Sequence, residues 1–226
     1  MRSSYSVPNL TLLLIGLLAQ SACFQASEEL VSPVLNKVTM DARARDLECV
    51  VGLNTPGLSG VLQDFIDERS CTRIEITAGE DDVLDVQLDS PLVIHESQSG
   101  TRTLELIGPA GAGLPGPALL APSGKRHFDV QVEGPGSALE LRLSHLILRG
   151  GDVSAATESE SQGGALRGIS KNGKLTLVVD NSRFEGNSAT HGGAIFLQAL
   201  SEDNTLQLSN VTLENNRARL SGGAIF

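Results

Sequence analysis

Four acids in the C-terminal half, Asp152, Asp180, Glu185 and Glu214, are the side chains best suited to acid–base work. Glycoside hydrolysis needs two carboxyl groups at a set separation, and a lyase needs a base near bound Ca²⁺ or Arg. None of the four forms a paired acidic motif with another. Glu185 and Glu214 recur at one repeated position, beside Phe184 and Leu213, where exposed turn acids are expected. His191, next to Gly192, is a lone turn histidine and so is expected to be solvated. Gly111-x-Gly113-x-x-Gly116 formally matches a dinucleotide fingerprint. That fingerprint needs a helix N-terminus facing pyrophosphate, and Pro115 and Pro117 oppose a regular helix there. There is no Cys-x-x-Cys pair, and the four His are scattered, so the residues suggest no metal site. No residue is therefore expected to be catalytic, and no cofactor or metal is expected.

The three cysteines are Cys23, Cys49 and Cys71. Arg2 followed by the apolar run Leu10 to Ala19 and the small residues Ser21 and Ala22 has the layout of a secretory signal peptide. The run is about ten residues, too short to span a bilayer as a helix. Ser21-Ala22-Cys23 resembles the end of a bacterial lipoprotein signal, in which Cys23 becomes the lipidated first residue. Gln20 stands where that family has an aliphatic residue, and ordinary cleavage after Ser21 or Cys23 fits equally well. Removal or lipidation of Cys23 leaves Cys49 and Cys71. In an oxidising compartment they are expected to pair, closing a loop of about 20 residues for on the order of 3 kcal/mol. Two free buried thiols are the alternative.

The elements that must position these residues are mostly strands. The 226 residues suffice for one domain with a sizeable core, and 24 glycines suit many short strands and tight turns. A net charge of −10 argues against nucleic acid as a partner, since phosphate binding needs clustered Lys and Arg. Residues 1–22 read as the signal peptide, 23–47 as a leader and 48–75 as an N-terminal cap. Within the cap, Ser59 is positioned to cap a short helix from Gly60 to Glu68, with Leu62, Phe65 and Ile66 on one side. Alternating runs then follow to the end of the chain, among them Arg73–Thr77, Thr103–Ile107, Phe128–Val132, Leu139–Leu143 and Leu175–Val179. The acidic run Glu158 to Glu160 reads as a solvated loop.

The C-terminal third repeats itself. Phe184-Glu-Gly-Asn187-Ser-Ala189 with Gly192-Gly193-Ala-Ile-Phe196 recurs as Leu213-Glu-Asn-Asn216-Arg-Ala218 with Gly222-Gly223-Ala-Ile-Phe226. The spacing is 29 residues up to the Ala and 30 from the double Gly, which places one inserted residue in a turn. A degenerate earlier copy has Leu148, Gly151 and Gly163-Gly-Ala-Leu166. A period near 30 built of short strands suits one coil of a parallel β-helix, with coils stacked at about 4.8 Å. Leu175, Leu177 and Val179 should run inward over Leu206 and Leu208. Ala194 and Phe196 should share one face, as should Ala224 and Phe226. The glycines suit turns of positive φ and close stacking, and Asn187 and Asn216 suit a left-handed conformation and side-chain bonding along the stack.

At these residues the sequence resembles the polymorphic outer membrane protein repeat of bacterial autotransporters and adhesins. That family pairs a Phe-x-x-Asn element with a Gly-Gly-Ala-Ile element, and the likeness covers about residues 143–226. Ile107-Gly-Pro-Ala-Gly111 and Arg126-His-Phe128 further resemble secreted β-helix proteins of the pectate-lyase-like superfamily. The resemblance implies an all-β, right-handed parallel β-helix over 76–226 with a short N-terminal capping helix. It implies a protein that is secreted or displayed at the cell outer membrane, an adhesin-like scaffold without catalysis. Its partner would be a host or environmental surface protein or polysaccharide. It would meet the membrane only through a lipid anchor or a region beyond Phe226, since a coil ending there would leave its last layer uncapped. A polysaccharide lyase or glycoside hydrolase of the same fold and a structural envelope lipoprotein are the alternatives.

Overall fold

The structure is a computed structural model, and it describes residues 47–69, 71–78, 85–109, 117–201 and 204–226. The signal segment, the leader, Cys23 and the glycines at 111–116 lie outside these residues.

The described chain opens with β1 (Glu48–Gly52), helix α1 (Leu58–Asp67) and β2 (Arg73–Thr77). It then winds through β3 (Val86–Gln87), β4 (Leu92–Glu96), β5 (Gly100–Ile107), β6 (Leu119–Leu120), β7 (Phe128–Val132), β8 (Ser137–Ser144) and β9 (Ile147–Arg149). Next come β10 (Leu166–Ser170), β11 (Gly173–Asp180), β12 (Arg183–Glu185) and β13 (Ser188–His191). The last turn of the chain repeats that order as β14 (Ile195–Ala199), β15 (Thr205–Ser209), β16 (Thr212–Glu214) and β17 (Arg217–Ser221). Strands of successive coils pair side by side in four parallel sheets. Their orders are β1-β2-β5-β8-β11-β15, β4-β7-β10-β14, β3-β6-β9-β12-β16 and β13-β17. From β2 onward successive coils visit the first, third and second sheets in that order, and the last two coils add the fourth, which is the connectivity of a parallel β-helix.

The register explains the core. Leu104, Leu141, Leu177 and Leu206 are cross-coil partners, as are Leu106, Leu143, Val179 and Leu208. Leu92, Phe128, Leu166 and Ile195 line up in the second sheet, and Leu119, Leu148, Phe184 and Leu213 in the third. Alternation puts every second side chain inside, so these ladders merge into one apolar column. Leu177 and Val179 are fully buried over Leu206 and Leu208, whereas Leu208, in the final described layer, is 40% exposed. In the Gly-Gly-Ala-Ile-Phe segment the strand begins at Ile195, so the alternation does not reach back to Ala194. Ala194 and Ile195 both join the core, while Phe196 takes the outward parity beside Arg167 and stacks on Phe226 at 5.3 Å.

Helix α1 closes the first coils. Its start is Gly57, at φ 67, and no side chain caps it. Ser59 instead lies within the first turn, where its Oγ accepts the Asp89 N–H at 2.8 Å. Gln63 substitutes for a neighbouring strand: its Oε1 accepts the Val93 N–H and its Nε2 donates to the Val93 carbonyl, both at 2.8 Å. The outer edge of β4 is thus partly satisfied by a side-chain amide, which blunts its capacity to recruit another strand. Arg102 donates to the Ile66 carbonyl at the helix C-terminus. Glu96, 1% exposed, is held by Arg69 at 2.6 Å and accepts the Gln98 N–H. Cys49 and Cys71 form a disulfide, Cα–Cα 5.8 Å, that staples β1 to the segment entering β2.

Candidate functional site

The repeated residues form a frame between coils. Asn187 is fully buried. Its Oδ1 accepts the Gly151 N–H at 2.9 Å and its Nδ2 donates to the Leu148 carbonyl at 3.1 Å. Asn216 repeats both bonds one coil later, to the Asn187 N–H at 3.0 Å and the Phe184 carbonyl at 2.9 Å. The two side chains are also joined, Asn187 Nδ2 to Asn216 Oδ1 at 2.9 Å. The left-handed residue is the one before each Asn, Gly186 and Asn215 with φ of 63 and 54, and likewise Gly150, at φ 76, before Gly151 in the degenerate copy. Asn187 and Asn216 themselves do not have positive φ, because their side chains must face back along the stack.

The paired glycines divide two tasks. Gly163, Gly192 and Gly222 adopt positive φ, turning the chain into the next strand. Gly164 and Gly193 make room: a Cβ on Gly193 would lie 2.3 Å from the Gly223 carbonyl oxygen, and one on Gly164 2.2 Å from that of Gly193. The extra residue of the last repeat lies in β17, not in a turn. Ala189 pairs with Ala218 and His191 with Ser221, so a bulge falls between them.

The four candidate acids do not converge. Asp152 accepts the Ser154 N–H and hydroxyl in a local turn. Asp180 accepts from the Asn181 amide. Glu185 and Glu214 lie in strands β12 and β16, not in turns, as direct cross-coil partners. Their outward parity follows from the inward Phe184 and Leu213. The two stacked acids are each matched by an arginine: Glu185 meets its ladder partner Arg149 at 3.1 Å, and Glu214 meets Arg183 from the neighbouring ladder. His191 Nδ1 is bonded to Ser221 Oγ at 2.6 Å, and its ring packs on Phe226. Among the described residues no group of three His, Cys, Asp or Glu side chains could hold a metal ion.

Two concave features remain. A shallow groove of about 570 Å³ crosses the outer face of the first sheet, lined among others by Glu75, Glu105, Arg142, His145 and Asp180. His145 is exposed and left-handed at φ 54. The second feature lies on the outer face of the second sheet. There the chain from Val153 to Ser161 forms a strap between the bridges Asp152–Ser188 and Gln162–His191. The strap includes Glu158 to Glu160, and it is pinned. Arg167 donates to the Ser159 carbonyl at 2.6 Å and pairs with the Glu160 carboxylate at 3.0 Å, while Arg126 donates to the Glu160 carbonyl.

Arg126 and Arg167 are each only 5% exposed along their side chains. Burial opposes the Arg167 charge, yet Asp129 at 2.6 Å and Glu160 outweigh it and hold the guanidinium above its ordinary range. Arg126 is pushed down, by burial first and by the Arg167 charge second. Its Nη1 has no hydrogen-bond acceptor. Strand parity in the sequence could have shown Arg167 on the outward ladder beside Asp129. The strap that buries the pair has no periodicity to announce it.

No curated protein and no solved structure matches the chain. A family model does match, at residues 181–198 and 210–226, and these two segments hold the Asn and double-Gly frame described above. These two segments of the chain are thus similar to the Chlamydia polymorphic membrane protein repeat.

Proposed function

We propose that the chain is an exported, surface-displayed or secreted bacterial scaffold that binds a partner without catalysis, in the manner of an adhesin. The supporting observation is where the repeated chemistry goes. Asn187 and Asn216 and the paired glycines serve contacts between coils, and Glu185 and Glu214 are neutralised by Arg149 and Arg183. The outward positions between them vary from coil to coil, which suits many shallow contacts to a host or environmental surface protein or polysaccharide. A lipid on Cys23 would supply an anchor, weak if it is a single acyl chain.

One observation favours a second reading, a polysaccharide lyase or hydrolase. The outer groove of the first sheet places Glu75, Glu105, Asp180 and His145 along one surface. One pair of experiments separates the two. Protease treatment of intact cells should remove the protein from the surface, and the purified chain should leave acidic and neutral polysaccharides uncut. Protection from protease would defeat surface display. Polysaccharide turnover lost in Asp180→Asn or His145→Ala would defeat the scaffold reading.

A further inference from the structure

Beneath the strap the outer face of the second sheet holds a cavity of about 200 Å³. One side is apolar, formed by Pro91, Val93, Val153 and Ala156, and Val93 is 43% exposed. The other side is ionic. Asp129 and Glu160 line it, and both are already neutralised by Arg167, at 2.6 and 3.0 Å. Arg126 is less well matched: its closest carboxylate oxygens are 3.8 Å away on Asp129 and 3.5 Å away on Glu160. Its Nη1 is buried with no acceptor, a costly state for a charged donor. Lys125 stands at the same rim, exposed, and among the described residues its ammonium has no hydrogen-bond or ion-pair partner. The cavity thus sets a guanidinium N–H without an acceptor and an exposed ammonium beside a small apolar wall.

We propose that this cavity is a binding site for a small carboxylate with a short branched apolar body, free or as the C-terminus of a peptide. The carboxylate would pair with Lys125 at the rim and, on a small outward shift of the strap that uncovers Nη1, give the Arg126 guanidinium the acceptor it lacks in a charge-assisted bond. The apolar body would cover Val93, Val153 and Ala156. The site commits the strap to a second role besides covering the sheet, since Val153, Ala156 and Glu160 all belong to it. The inference stands apart from the surface-scaffold reading, because the pocket is complete within the described coils wherever the protein is displayed.

The test is a titration of the full chain with isobutyrate, followed by calorimetry and by the amide resonances of residues 153–160. Isobutyramide, equal in shape and uncharged, is the control. A tripeptide ending in Val and its C-terminal amide form the second arm. Saturable binding of isobutyrate but not isobutyramide is expected. Binding of the peptide acid as well identifies a chain terminus as the source, whereas binding of isobutyrate alone identifies a free acid. Lys125→Ala, at an exposed position, should weaken binding about tenfold, the worth of one charge-assisted bond. Ala156→Leu should fill the apolar side and abolish binding, with the thermal midpoint unchanged. Arg126→Gln should abolish binding too, and its fold is checked by circular dichroism. Equal binding of isobutyramide, no saturable binding of any carboxylate, or undiminished binding by both Lys125→Ala and Ala156→Leu overturns the proposal.

Discussion

The Oδ1 of Asn216 accepts two hydrogen bonds from Asn187, one from its backbone N–H at 3.0 Å and one from its Nδ2 at 2.9 Å. Asn187 in turn holds the Gly151 N–H. Each asparagine side chain therefore bonds backbone groups of the preceding coil, in a place closed to water around Asn187.

Removing that link should be costly. Asn187→Ala leaves the Gly151 N–H and the Leu148 carbonyl buried without these partners, and should lower unfolding free energy by about 3 kcal/mol. Asn187→Asp should cost more, because a buried carboxylate would face the Leu148 carbonyl and Asn216 Oδ1. Asn216→Ala, half-buried, should cost only about 1 kcal/mol. Urea unfolding of the three variants checks the order.

The glycines should respond unequally. Gly186, at φ 63, has open space where a Cβ would go, and Asn215 occupies the matching place one coil later at φ 54. Gly186→Asn should therefore stay within about 0.5 kcal/mol of the parent. Gly193→Ala drives a methyl into the Gly223 carbonyl and the Arg217 backbone and should lose about 3 kcal/mol. Thermal melts of both variants measure the contrast.

His127 makes the fold sensitive to acid. Its Nε2 bonds the Leu119 carbonyl at 2.9 Å, and its Nδ1 faces the Arg149 carbonyl without a well-formed hydrogen bond. Burial pushes it down from 6.5 to about 4, against the Leu119 and Arg149 carbonyls, which favour the charged ring. Between those values the unfolded chain binds the proton and the folded one does not. Stability should accordingly be full above pH 6.5 and fall as pH drops, by about 3 kcal/mol at pH 4. Denaturant midpoints across that range should flatten in His127→Gln.

The buried Glu96 gives a fourth outcome. Arg69→Ala strands a carboxylate that is 1% exposed and should cost about 3 kcal/mol. The double variant Arg69→Leu, Glu96→Leu should recover most of that loss, because no charge then remains to be buried. A double-mutant cycle by chemical unfolding tests the coupling.

The stacking was legible because it rests on periodicity. Leu104, Leu141 and Leu177 share a parity, and the Asn and Gly-Gly segments share a period, so the ladders can be aligned by counting. Three features escaped the count. The bulge in β17 hides within a strand, since a 29-to-30 shift does not say where the extra residue sits. Glu185 looked like a turn acid because β12 is only three residues long. The Arg126 and Arg167 cluster depends on a strap whose sequence is polar and aperiodic, and only the fold brings it over the second sheet.

The direction of the asparagine bonds gives the stack a grain. Asn216 grips the coil before it, as Asn187 grips the one before that, and α1 with Gln63 closes the starting edge. A coil that folds after its predecessor thus brings its own latch and finds its catch already built. The solenoid can be assembled as a ratchet, one turn at a time from the N-terminal side, with each click holding the previous turn against slipping back.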